Sequence, residues 1–266
     1  MNTFTDSLRT DTIFFKHARG ISDKSGKEFH LYHEIILFLG GDAEFITESI
    51  HITPKPGTLI LIPEETYHQM VIHGEPTHYY RCVLQFQEIP GASRLISHAM
   101  KQAVVLSSDR EINYLFQKLE QLAAEKPVAA DLILQSCLIL LLDQLRSISQ
   151  IILPESRQSE LIRNAVSYIN EYPMMNLSVA QIAAKCNVSV SSLSHTFRRE
   201  MNIPLHQFML KKRLIQAYHK ISSGIPATTA ALECGFSDYS GFYRQYKKLF
   251  GFSPSDGSSP RANIDL

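Results

Sequence analysis

Residues 177–199 read LSVAQIAAKCNVSVSSLSHTFRR, and the C-terminal fold follows from this stretch. Ser178 is a good N-cap for a short helix that carries Ile182 and Ala183. A residue as small as Ala183 lets two helices cross closely. The turn is Cys186-Asn187-Val188. Its middle position calls for φ > 0, which Gly supplies at least cost and Asn tolerates next best. Val188 and Leu193 are expected to fill the core between the helices. Ser189 then caps a second helix running to about Met201. Two helices joined by so short a turn form a helix-turn-helix, whose second helix is the reading element in proteins that dock on DNA.

The pattern recurs. Residues 231–254 read ALECGFSDYSGFYRQYKKLFGFSP. Cys234-Gly235-Phe236-Ser237 parallels Cys186-Asn187-Val188-Ser189 at an offset of 48, and Ala231 takes the role of Ala183. From Phe242, which replaces Leu193, the offset is 49, so that Lys247-Lys248 parallels Arg198-Arg199. A single αα-hairpin with a polar turn is common, whereas two in tandem are a specific signal. Between them, Leu205, Phe208, Leu214, Ala217, Tyr218 and Ile221 recur at helical steps. A helix of that extent is about 25 Å long at about 1.5 Å per residue. With its flanking helices it can set two reading helices toward successive major grooves, about 34 Å apart on one DNA face.

From about residue 160 to 255 the text resembles the DNA-binding domain of the AraC/XylS family of bacterial transcription regulators. The resembling segments are LSVAQIAAKCNVSVSSLSHTFRREMNIPLHQFMLKKRLIQA and the second block quoted above. The family usually has an aromatic and an Arg shortly after the Ser-Pro, whereas here Ser253-Pro254 leads to Asp256-Gly257. The resemblance implies base contacts from Ser191, Ser192, Ser194 and His195 in the first unit and from Tyr239, Ser240, Tyr243 and Arg244 in the second. Arg244 is the strongest candidate, because a guanidinium can donate twice to one guanine. Ser189, Arg198, Arg199, Ser237, Lys247 and Lys248 are the expected phosphate contacts. Lys211, Lys212 and Arg213 are expected to include solvated faces.

Charge supports this reading. The chain is neutral as a whole. Residues 1–156 hold 13 Lys+Arg and 19 Asp+Glu, a net of −6, whereas residues 157–266 hold 13 and 7, a net of +6. The basic half is thus the candidate for contact with a polyanion. The hydrophobic fraction of 44% suffices for two cores, and no apolar run reaches the length of a membrane span. The N-terminus lacks a signal-peptide pattern, and Cys82, Cys137, Cys186 and Cys234 form no CxxC pair. A cytoplasmic protein is expected, with no disulfide or zinc framework.

Upstream, the first ninety residues read as β structure. Ile35–Leu39 ends at Gly40-Gly41-Asp42, Thr58–Ile62 lies between Pro56-Gly57 and Pro63-Glu64, and a third run covers Tyr79–Phe86. Such spacing points to a sandwich or barrel. Ser108-Asp109 with Glu111 looks like a helix start, followed by Ile112, Leu115, Phe116, Leu119 and Leu122 at helical spacing. Pro127 ends that helix, and a second runs from about Ala129 to Ile148 with apolar surface beyond one face. Part of that surface suits burial on the β domain and part suits a second subunit.

The expected class is α+β with two domains: residues 1–150, comprising a cupin-like barrel (about 10–90) and two helices (about 109–148); a linker, 151–158; an all-α double helix-turn-helix domain, 159–255; and a tail, 256–266, fraying from Ser253. Residues 1–20 are read as an arm over the barrel. Gly57, Pro63 and His68 fit a cupin second motif, with Glu65 in place of its second Gly. The segment resembles the effector-binding barrel of AraC/XylS regulators. That implies a small-molecule pocket, most commonly for a carbohydrate, with His30, His33, Glu34, His68 and Arg81 as candidate polar groups. No metal or other cofactor is expected, because strand alternation sends His33 and Glu34 to opposite faces. The resemblance further implies a homodimer, double-stranded DNA and RNA polymerase as partners, and action as an activator. No catalytic residue is expected. The alternatives are a cupin-type metalloenzyme with a helical interaction module and a ligand-independent DNA-binding protein with a vestigial barrel.

Overall fold

The structure, a computed structural model, describes residues 3–19, 29–73, 80–147, 157–172 and 177–256. Most of the expected linker and the tail beyond Asp256 lie outside the described residues. The chain divides into two compact units, Met1–Arg157 and Gln158–Leu266.

In the first unit, a six-stranded antiparallel sheet has the order β1 (Thr3–Arg9), β2 (Ile13–Arg19), β8 (Tyr80–Phe86), β3 (His33–Gly40), β6 (Thr58–Ile62), β9 (Val104–Ser107). A second sheet has the order β5 (His51–Ile52), β4 (Ala43–Thr47), β7 (His68–Ile72). The unbroken apolar runs of β3 and β6 follow from burial of the large sheet on both faces. Ile36, Phe38, Ile60, Ile62 and Val83 pack with Phe45, Ile50, Ile52 and Met70 of the small-sheet side. Ile35, Leu37, Leu59, Leu61 and Leu84 pack on the other face with three helices, α1 (Ser93–Ala99), α2 (Arg110–Glu125) and α3 (Ala130–Ser147). Each such large side chain contributes roughly 1.5–3 kcal/mol by leaving water.

Asp109 caps α2 as expected, its Oδ1 accepting from the Ile112 N–H at 2.8 Å. Lys126 closes the helix in the left-handed region at φ 45°. α1 and β9 lie in the stretch between the expected barrel and the first expected helix, to which the sequence reading assigns no element. The arm expected over residues 1–20 is corrected. Its described residues form β1 and β2, a hairpin whose turn is held by Thr10 Oγ1 accepting from Ile13 N–H at 3.0 Å. β2 is fully paired with β8.

The second unit begins with α4 (Glu160–Glu171), capped by Ser159. The first helix-turn-helix is α5 (Val179–Lys185) and α6 (Val190–Met201), joined through Asn187 at φ 55°. Ser178 and Gln181 form a complete capping box on α5. The connector is α7 (Leu205–Ser222), and the second unit is α8 (Ala227–Glu233) and α9 (Tyr239–Phe250), joined through Gly235 at φ 81°. The connector holds both reading helices through aromatic contacts. Phe208 near its start meets Phe197 of α6 at 5.4 Å, and Tyr218 near its end meets Phe250 of α9 at 5.4 Å.

Several expectations are adjusted here. Leu193 is fully buried, but Val188 is only half-buried, because the turn leaves one side of it open. Arg213 is half-buried: its guanidinium donates to the Leu177 carbonyl at 2.6 Å and ties α7 to the chain entering α5. Lys211 and Lys212 are half-buried too. The tail does not fray at Ser253. Ser253 and Pro254 are buried, and Asp256 accepts from the Ser253 N–H at 2.9 Å.

Candidate functional site

In α6, Leu193, Phe197 and Met201 are buried, and at 100° per residue they define one stripe. Ser191, Ser192, His195, Arg198 and Arg199 fall on the other side and are exposed, with Ser194 half-buried at the margin. In α9, Phe242 and Tyr246 are buried, while Ser240, Arg244, Lys247 and Lys248 are exposed on the far face. Tyr239 and Tyr243 flank that face, their rings 6.4 Å apart. Each reading helix therefore presents a continuous polar and basic surface with an apolar stripe behind it. Arg199 also pairs with Glu200 at 3.1 Å.

The two units differ at the helix start. Ser189 caps α6, its side chain accepting from the Ser192 N–H at 3.1 Å. The matching role in α9 falls not on Ser237 but on Asp238, whose Oδ1 accepts from the Gly241 N–H at 2.6 Å. The offset between the repeats thus changes from 48 to 49 between the turn and the cap, and Ser237 is the extra residue. It remains exposed beside the helix start. Asp238 carries the signal that could have been read, since Asp is as good an N-cap as Ser.

The five polar candidates in the first unit separate. His30, Glu34 and His68 come together. His68 Nε2 lies 3.2 Å and His30 Nε2 3.7 Å from Glu34 Oε2, and these side chains are 4–6% exposed. The other carboxylate oxygen, Oε1, accepts from Gln85 Nε2 at 3.0 Å, a partner the sequence reading did not name. Burial works to raise the Glu34 pKa, but His30 and His68 outweigh it and hold the carboxyl well below its usual range. His33 projects to the opposite face of β3, as strand alternation requires. It meets Phe86, and its Nδ1 accepts from the Glu64 N–H at 3.1 Å. Burial lowers its pKa to about 4, so it is neutral. Arg81 is in register with Phe38, four residues along β3 from Glu34, or about 13 Å. A separate cleft of about 460 Å³ is lined by residues 52–58 and 105–108, including Lys55, Ser107 and Ser108, and none of the five candidates borders it.

The chain matches the profile of the AraC-like ligand binding domain over residues 12–142 and that of a helix-turn-helix domain over residues 182–257. It is 32% identical over 90 residues to the probable transcriptional regulator LumQ of Photobacterium leiognathi, covering 34% of this chain and 36% of that protein. It is 31% identical over 119 residues to the arabinose operon regulatory protein of Escherichia coli strain K12, covering 44% and 40%. These matches span well under two thirds of either relative. Similarity to the HTH-type transcriptional activator RhaS of Escherichia fergusonii is lower, 21% over 238 residues, but extends over 85% of each chain. With the ligand-binding profile and the helix-turn-helix profile matched in this order along one chain, the protein belongs to the AraC/XylS family of transcription regulators.

Proposed function

We propose that this protein is a sequence-specific DNA-binding regulator that activates transcription as a homodimer in response to a small molecule held by its first unit. The observation that carries the reading is the pair of helix-turn-helix units bolted to one connector, each with an exposed polar face. Arg244 reads guanine in the second unit. His195 and the serines of α6 make shorter, more permissive contacts, and Arg198, Arg199, Lys247 and Lys248 hold phosphates. An activating role, with RNA polymerase as the partner it calls for, is supported by the relative described as an activator, which matches along most of the chain. A sugar effector is supported by the arabinose operon relative and by the cleft, whose volume lies in the range of small-molecule sites.

Purified full-length protein should protect discrete genomic sites in footprinting, with protection altered by candidate sugars. Failure to enrich any site over bulk DNA would overturn the DNA reading. Site protection indifferent to every sugar, with no ligand-induced thermal stabilisation, would leave the ligand-independent alternative.

A further inference from the structure

His30, Glu34 and His68 converge, and the outer bonds of the two rings fix which atoms face inward. A backbone carbonyl can only accept, so the ring nitrogen facing it must carry the proton. His30 Nδ1 lies 2.8 Å from the Tyr32 carbonyl, and His68 Nδ1 lies 3.1 Å from the Thr66 carbonyl. Both Nε2 atoms are then turned to Glu34 Oε2, that of His68 at hydrogen-bonding distance, and each becomes a ligand atom when a metal displaces its proton. The three candidate ligand atoms lie within 4.8 Å of one another in the protein interior. His30 Nε2 is buried without a hydrogen-bond partner. Such a grouping is stabilised by a cation at its centre.

We propose that His30, Glu34 and His68 bind one divalent first-row transition-metal ion through two imidazole Nε2 atoms and one carboxylate oxygen. The spacing fits. Ligands about 2.1 Å from a tetrahedral metal lie about 3.4 Å apart, against 3.2 and 3.7 Å for the two pairs measured to Glu34. The surroundings fit as well. Ligating histidines characteristically donate their second ring N–H to a carbonyl, and ligating carboxylates are themselves hydrogen-bonded. The carbonyls of Tyr32 and Thr66 fill the first role, and Gln85 fills the second. His30 is further fixed by stacking on Tyr32, ring centroids 3.8 Å apart. Two imidazoles with one carboxylate select zinc, iron or their neighbours over magnesium and calcium, which prefer all-oxygen sites. The proposal departs from the expectation of no metal, which rested on His33. The partner of Glu34 is His30, in the segment entering β3. In a second cluster, of His17, Cys82 and Glu120, Cys82 Sγ donates to Glu120 Oε1 at 3.0 Å.

The test is titration of chelator-stripped, full-length protein with Zn²⁺ against a chromophoric chelator, without DNA, so that its outcome is separate from that of footprinting. One equivalent is expected for the wild type and for the controls Cys82→Ser and His33→Asn. Glu34→Gln and His68→Asn should lose it, and Gln85→Met should bind roughly tenfold to a hundredfold more weakly. Zn²⁺ should raise the Tm of the wild type and not that of Glu34→Gln. If a variant does not fold, Co²⁺ bound to the wild type should show ligand-field bands without thiolate charge transfer. The proposal is overturned if the folded wild type takes up no Zn²⁺, if folded Glu34→Gln and His68→Asn retain the equivalent, if Cys82→Ser loses it, or if a thiolate band appears.

Discussion

Arg244 stands 200° around α9 from the buried Phe242, on the face farthest from the core, so truncating it removes a contact without opening a cavity. Arg244→Ala should weaken the preferred site by about 1–3 kcal/mol, roughly tenfold to a hundredfold, while binding to random DNA persists. Competition shift assays check this, and an unchanged preference for the operator would refute the assignment. Nearby, Gly241 and Asp238 act as a pair. A Cβ on Gly241 would come within 2.8 Å of Asp238 Oδ2, the carboxylate that caps the helix. Gly→Ala in a helix ordinarily stabilises by about 0.5–1 kcal/mol. Here that gain is offset by displacement of the cap, which is worth about 1 kcal/mol. Gly241→Ala should therefore leave stability nearly unchanged in the wild type and stabilise by about 1 kcal/mol in an Asp238→Ala background. Denaturant melts of the four proteins decide it, since equal effects in both backgrounds would mean that the two residues are not coupled.

Among elements, those with strong local signals were legible in the sequence. Asp109, Ser178 and Ser189 cap the helices they were expected to cap, and Asn187 and Gly235 take the positive φ that their turns require. β9 was not legible, because Val104–Ser107 is four residues long and its strand identity comes only from pairing with β6 across more than forty residues of sequence. The His30–Glu34–His68 cluster was half legible. Alternation correctly separated His33 from Glu34, but the path of the loop entering β3, which returns His30 to Glu34, has no periodicity to read. α3 buries part of its surplus apolar surface and leaves part exposed. Leu134, Leu138, Leu141 and Leu142 are buried in the first unit, whereas Leu132 and Leu140 are 68% and 58% exposed. Leu132 and Leu140 lie two turns apart on one face, which suits a subunit contact. The double variant Leu132→Glu, Leu140→Glu should shift sedimentation from dimer to monomer with little change in Tm. A variant that stays dimeric would remove this face from the interface.

For the whole molecule, the division of charge assigns the work. A net of −6 over residues 1–156 repels a phosphate backbone and a net of +6 over residues 157–266 attracts it, so DNA binding is expected to depend on salt despite the neutral total. Besides Arg244, four cations stand on the exposed faces of the reading helices, Arg198, Arg199, Lys247 and Lys248, with Arg199 partly engaged by Glu200. Counting three to four phosphate contacts at about −0.9 each, the slope of log affinity against log salt should be about −2.7 to −3.6 per protomer. Raising salt from about 50 to 200 mM should therefore weaken binding roughly 40- to 150-fold per protomer, and more steeply in a dimer with both protomers bound. Lys247→Ala with Lys248→Ala should flatten the slope by about 1.8 and weaken all DNA sequences alike, unlike Arg244→Ala, which weakens the preferred site alone. Fluorescence anisotropy with an operator and a scrambled duplex across the salt series separates the two behaviours. A flat salt response would remove the phosphate contacts from the reading, whatever the fate of Arg244.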